Sequence, residues 1–131
     1  MTSVFNISIS GLNNDAFRVA NATSNIVNAS SLSHLPQNAN NYSGFVPQDV
    51  VSIADPIGGV SDATTPYNPS YVTTYDPNSQ LANGQGLVAS PNVDLNKELV
   101  NANVASVNYS ANAAVIKIEE KTQKALIDIV T

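Results

Sequence analysis

All seven prolines of this 131-residue chain lie between Pro36 and Pro91, and five of its six glycines lie between Gly44 and Gly86. A proline inside a helix costs about 3 kcal/mol, so this distribution confines long helices to the two ends and leaves the middle extended and turn-rich. Three segments follow: a helix within residues 1–33, an extended and β-rich insert over 34–91, and a long helix over 92–131. The expected fold class is mainly α with a β/irregular insert.

The first segment carries an apolar stripe at Phe5, Ile9, Leu12, Ala16, Val19, Thr23 and Ile26. Its alternating gaps of four and three residues are those of a coiled-coil seam, not of a strand. Asparagine, serine and β-branched residues fill many of the other positions, so the intrinsic helix preference is weak and a packing partner is required. In the last segment Asp94 is placed as N-cap, and the run to Thr131 is free of glycine and proline. Its stripe reads Val100, Val104, Val107, Ala111, Val115, Ile118, Thr122, Ala125 and Ile129, with one doubled gap of four that relaxes a left-handed supercoil. Lys117, Lys121 and Lys124 are expected in the last turns, where they favour the negative end of the helix dipole. A helix of about 35 residues would be a rod of roughly 50 Å, long for a domain of this size. The two stripes are best accounted for if they close on each other and on neighbouring subunits.

In the middle, Gly44–Val46, Val50–Ile53 and Tyr71–Tyr75 read as short strands, with turns at Gly58-Gly59, Asn68-Pro69 and Asn83-Gly84. Gly86 to Val93 reads as the turn that launches the last helix. Tyr67, Tyr71 and Tyr75 sit among prolines and suggest a loop contact surface.

Chemistry finds little to work with. There is no cysteine and a single histidine, His34, which reads as a loop residue after the first helix and removes disulfide, thiol and most metal-site classes. No nucleophile elbow, dinucleotide fingerprint or calcium loop is present, so no catalytic, cofactor or metal residue is expected and the chain is not read as an enzyme. A net charge of −5 has the wrong sign for nucleic acid. No stretch is apolar enough for a membrane span, and no secretory leader pattern opens the sequence. Only 11% of residues are charged, against about 25% in an ordinary soluble domain. Polarity comes instead from 18 Asn, 15 Ser and 8 Thr. Amides and hydroxyls are desolvated at far lower cost than ions, so this is a surface suited to being covered.

The ends carry sequence motifs as well as periodicity. Ser10-Gly11-Leu12 and Ala22-Thr23-Ser24-Asn25-Ile26-Val27-Asn28-Ala29 are similar to the opening helix of bacterial flagellar rod and hook proteins. Tyr75-Asp76-Pro77, Gly86-Leu87-Val88-Ala89-Ser90-Pro91-Asn92-Val93 and Tyr109-Ser110-Ala111-Asn112 resemble the second half of the flagellar basal-body rod protein family, on its proximal-rod side. The match departs where Ser79-Gln80 replaces a His-Pro and where Leu87 replaces a tyrosine. The resemblance implies an antiparallel hairpin of N- and C-terminal coiled-coil helices. It also implies a non-catalytic structural subunit that assembles helically, as homo- and hetero-oligomer, in the periplasmic rod of the basal body. The partners implied are other rod proteins, the basal-body ring or adaptor, and the flagellar type III export apparatus, with export that needs no cleaved signal. Interface residues expected on this reading are Phe5, Ile9, Leu12, Val19, Asn25, Ile26 and Asn28 at the start. Pro91, Asn92 and Val93 follow at the helix entry, and Val107, Tyr109, Ala111, Asn112, Val115, Ile118, Ala125 and Ile129 lie on the last helix. Leu12, Val19 and Ile26 are expected to pack against Val107, Ala111, Val115, Ile118 and Ala125 within one chain. The competing expectation is a small non-catalytic extracellular binding module that uses the Tyr- and Pro-rich middle.

Overall fold

The computed structural model describes residues 2–37 and 41–130, with side chains from Val4 to Gln37 and from Asn41 to Asp128. Helix α1 spans Thr2–Asn28 and helix α2 spans Leu95–Val130. Between them, β1 (Gln48–Ala54) pairs antiparallel with β2 (Val60–Pro66), and β3 (Tyr71–Tyr75) pairs antiparallel with β4 (Leu87–Pro91). The helices stand where the breakers permit them. The start of α2 is fixed by Asp94, whose carboxylate accepts from the backbone N–H of Asn96 at 2.9 Å and of Lys97 at 3.2 Å, as an N-cap should. The three lysines stop short of the other end: α2 runs on to Val130, and its last turn holds no basic residue.

Two of the three expected strands form, within β1 and as β3. Gly44–Val46 does not; it is a loop, folded so that the Tyr42 hydroxyl donates to the Phe45 carbonyl at 3.0 Å. Residues 87–91 are strand β4 and not a launching turn. The turn is completed earlier: the Asn83 side chain accepts from the N–H groups of Gln85 and Leu87, and Gly86 takes the positive φ of 75° that closes it. Val88 and Ala89 are then fully buried, and Ser33 exchanges two backbone hydrogen bonds with Ala89, at 2.9 and 3.0 Å. Strand β4 thus lies between β3 and the segment that leaves α1. Tyr71 stacks on Tyr42 with ring centroids 4.7 Å apart. Asn92 ties off the end of this sheet, donating from its backbone to the Ser70 carbonyl and from its amide to the Pro69 carbonyl. His34 is an exposed loop residue with Nδ1 3.0 Å from the Leu81 carbonyl oxygen.

The two helices pack along one another. Asn112 lies against Gly11 and donates to Asp15 at 3.0 Å, while Glu98 and Asn101 share a cleft with Arg18, Asn21 and Ala22. Higher numbers on one helix therefore meet lower numbers on the other, and the pair is antiparallel. On this register the start of α1 falls opposite residue 120 or so. The last ten or so residues of α2, about 15 Å of helix, extend past it.

Very little apolar mass is buried. Among the described residues the fully buried hydrophobic positions are Ala22, Val88, Ala89 and Ala105, and the bulkiest fully buried side chains are Glu98, Val88, Asn25 and Pro47. The chain exposes 8570 Å². A compact monomer of this mass would expose about 6,600 Å².

Candidate subunit interface

The contact between the helices is not centred on the apolar stripes. On α1 the buried residues are Ser8, Asn14, Asp15, Ala22 and Asn25. Ser8, Asp15 and Ala22 are seven residues apart, each one residue before Ile9, Ala16 and Thr23. On α2 Glu98 and Ala105 are buried and Asn101, Ala102, Asn112, Ile116 and Glu119 half-buried; Glu98, Ala105, Asn112 and Glu119 are again seven apart, and from Ala105 on each is one residue after Val104, Ala111 and Ile118. The expected packing of Leu12, Val19 and Ile26 on Val107, Ala111, Val115, Ile118 and Ala125 is therefore corrected. A one-residue offset is about 100° of arc, enough to turn a stripe from the contact to its flank. Small residues win the contact because they let the backbones approach: a Cβ added at Gly11 would stand 2.7 Å from the Asn112 amide nitrogen.

The stripes remain largely uncovered. Phe5 is 41% and Ile9 37% exposed, and Leu12, Val19 and Ile26 are half-buried. On α2, Val107 is 68%, Ile118 63% and Val115 40% exposed, Ala111 and Ala125 are exposed, and Tyr109 is 44% exposed. The side chain of Ile129 lies outside the described residues. Of the polar candidates, Asn112 faces α1, and Asn28 bonds locally, donating to the Ser24 carbonyl at 2.8 Å. Pro91 is buried in the sheet, while Asn92 and Val93 are half-buried in the link to α2.

The amides of α1 have a use that their number alone did not reveal. Asn25 donates to the Gln48 carbonyl at 2.8 Å and accepts from the Gln48 N–H at 3.2 Å, and Asn21 donates to the same carbonyl at 2.7 Å. Further along, Asn14 donates to Ser52 at 2.6 Å and to the Asp62 carboxylate, and Ser10 accepts from the Val60 N–H at 3.2 Å. Ser10, Asn14, Asn21 and Asn25, at gaps of 4, 7 and 4, form one helical face that lays the β1–β2 hairpin along α1. The hairpin tip turns through Gly58 and Gly59, at φ 98° and 100°, beside Ile7 and Ser10. The 4-7-4 spacing was a readable signal, visible once amides are counted as packing residues.

At the base of the hairpin, the Tyr67 hydroxyl donates to the buried Glu98 carboxylate at 2.6 Å. Lys97 donates to the Tyr67 oxygen at 3.1 Å, lies over its ring at 4.7 Å and reaches Asp49 at 3.5 Å. Burial and the bond to Glu98 raise the Tyr67 pKa, and the bond to Tyr67 raises that of Lys97. This cluster clamps the insert to the first turn of α2, beside an open cleft of about 350 Å³ lined by Asp49, Val51, Thr65, Tyr67, Asn92 and Lys97. Among the described residues no three acidic or histidine side chains converge as a metal site would need, and no helix is long and apolar enough to cross a membrane.

The chain thus combines a small interior, two long terminal helices and apolar stripes left largely outside the contact between them. Residues 85–129 match the family model described as flagellar basal body rod FlgEFG protein C-terminal. The flagellar basal-body rod protein FlgC of Escherichia coli O157:H7 is 31% identical over 118 residues, covering 88% of this chain and 87% of that protein. FlgC of Salmonella typhimurium is 31% identical over 117 residues, with the same coverage. FlgC of Buchnera aphidicola subsp. Baizongia pistaciae is 30% identical over 118 residues, covering 87% of this chain and 86% of that protein. The chain belongs to the flagellar basal-body rod protein family.

Proposed function

We propose that this chain is a structural, non-catalytic subunit of the proximal rod of the bacterial flagellum, built helically with other axial proteins into the hollow shaft that carries torque. The observation that carries the reading is the pair of uncovered apolar stripes on the terminal helices, in a chain that aligns over nearly nine-tenths of its length with rod proteins. In this reading α1 and α2 act as an antiparallel coiled-coil hairpin near the shaft axis, with the insert turned toward neighbouring subunits and the basal-body ring. The heptad recurrence of Ser8, Asp15, Ala22 and of Glu98, Ala105, Asn112, Glu119 supports the coiled-coil description. Export through the flagellar type III gate suits a chain with so small an interior, which loses little on unfolding. The domain division at residues 33 and 92 follows the same logic, helical ends for assembly and an insert for contacts.

The test is deletion of the gene in its own host, with complementation. Non-swimming cells whose basal bodies stop before the rod is complete, restored by the intact gene, are expected. Deletion strains with normal rods and normal swimming would overturn the reading.

A further inference from the structure

Two observations fix how the stripes can be covered. On α1 the apolar stripe stands one residue after the positions that face α2; on α2 it stands one residue before those that face α1. In an antiparallel pair these offsets turn the same way when both helices are viewed along one direction. The two helices face each other across the contact, so the same turn carries the α1 stripe to one face of the pair and the α2 stripe to the opposite face. Neither stripe can close on the other within one chain. The two faces also carry little charge: residues 99–116 of α2 hold no charged residue, Ile118 lies just beyond among Lys117, Glu119, Glu120 and Lys121, and the only charges on α1 are Asp15, which is bonded to Asn112, and Arg18.

We propose that the α1 stripe of one copy docks on the α2 stripe of the next copy of this same chain, back to front, through Phe5, Ile9 and Ala16 on one side and Val107, Ala111 and Ile118 on the other. The contact is heterologous: each copy keeps one free stripe after docking, so the set does not close as a dimer and continues to add copies. The exposed area agrees. The excess of about 2,000 Å² over a compact monomer is close to the 800 Å² or so per partner that a stable interface covers, taken twice. This inference rests on the rod-subunit reading and adds to it the identity and polarity of the contact.

The chain has no cysteine, so disulfide trapping has no background from it. Basal bodies are isolated from strains whose sole copy of the gene carries Ile9→Cys, Ala111→Cys, or both, and are oxidised with copper phenanthroline. Val107→Cys and Val115→Cys replace Ala111→Cys in parallel to scan the axial register. The double variant is expected to give a ladder of dimers and higher multiples, co-expressed single variants dimers only, and each single variant alone none. Dimers from Ile9→Cys alone, without a ladder, would mean a symmetric α1–α1 contact and overturn the inference. So would the absence of multiples from all three pairings in basal bodies that contain the chain. Basal bodies that lack the chain altogether would instead overturn the rod-subunit reading.

Discussion

Ile118→Asp separates what the fold of one copy needs from what assembly needs. In the single chain Ile118 is already 63% exposed. Full burial of an isoleucine side chain is worth about 1.5–3 kcal/mol, so covering the exposed part in an assembly is worth roughly 1–2 kcal/mol. An aspartate there forfeits that gain and adds the desolvation of a carboxylate, several kcal/mol per ion. The cost exceeds about 3 kcal/mol per contact, more than 100-fold in the association constant, and recurs at every copy. The isolated chain loses almost nothing, because the side chain projects into water from an exposed helical face. The assay therefore has two readouts: circular dichroism of the purified chain, and swimming with rod assembly in cells. Unchanged ellipticity, continued export and lost motility are expected, while Ile118→Val, which removes one methylene, keeps motility. Normal swimming of Ile118→Asp would refute the reasoning. So would a collapse in ellipticity of the isolated chain, which would return Ile118 to the intramolecular contact.

Tyr67→Phe removes the donor to a buried carboxylate and should destabilise the junction of insert and α2 by about 1.5–3 kcal/mol, read as faster hydrogen exchange at Tyr67, Asn68 and residues 95–98. Asp94→Ala removes two accepted N–H bonds and should cost about 1 kcal/mol, seen as exchange confined to the first turn of α2. The Tyr67 hydroxyl and the Lys97 ammonium both have raised pKa values in the folded chain, so their contribution is intact below the ordinary tyrosine value of about 10 and is lost as pH climbs through the raised ones. The Tyr67 ring resonance should accordingly titrate above that ordinary value, and its shift should coincide with loosening of residues 66–68.

The breaker map placed both helices to within a few residues, because proline and glycine act locally and their penalties do not wait on tertiary structure. Which way the helices face was not legible. Val107 and Ile118 are apolar whether they meet α1 or another copy, so apolarity marks what is to be covered and leaves the cover open. Asn14, Asn21 and Asn25 were missed for a related reason: an amide reads as solvent-facing until a strand edge with free N–H and C=O groups is set beside it. Strand β2 draws its structure from its pairing with β1 and not from its own residues, of which only Val60 is both apolar and β-branched.

The contact between α1 and α2 also has a mechanical side. It is lined largely by alanine, glycine, serine, amides and carboxyls, and the close seat of Asn112 against Gly11, with its bond to Asp15, fixes the axial register of the two helices. The bulky stripe residues lie outside this contact, where the proposed docking of copies covers them. On the proposed assembly, register within each hairpin is set by short polar contacts and cohesion between copies by bulky apolar ones.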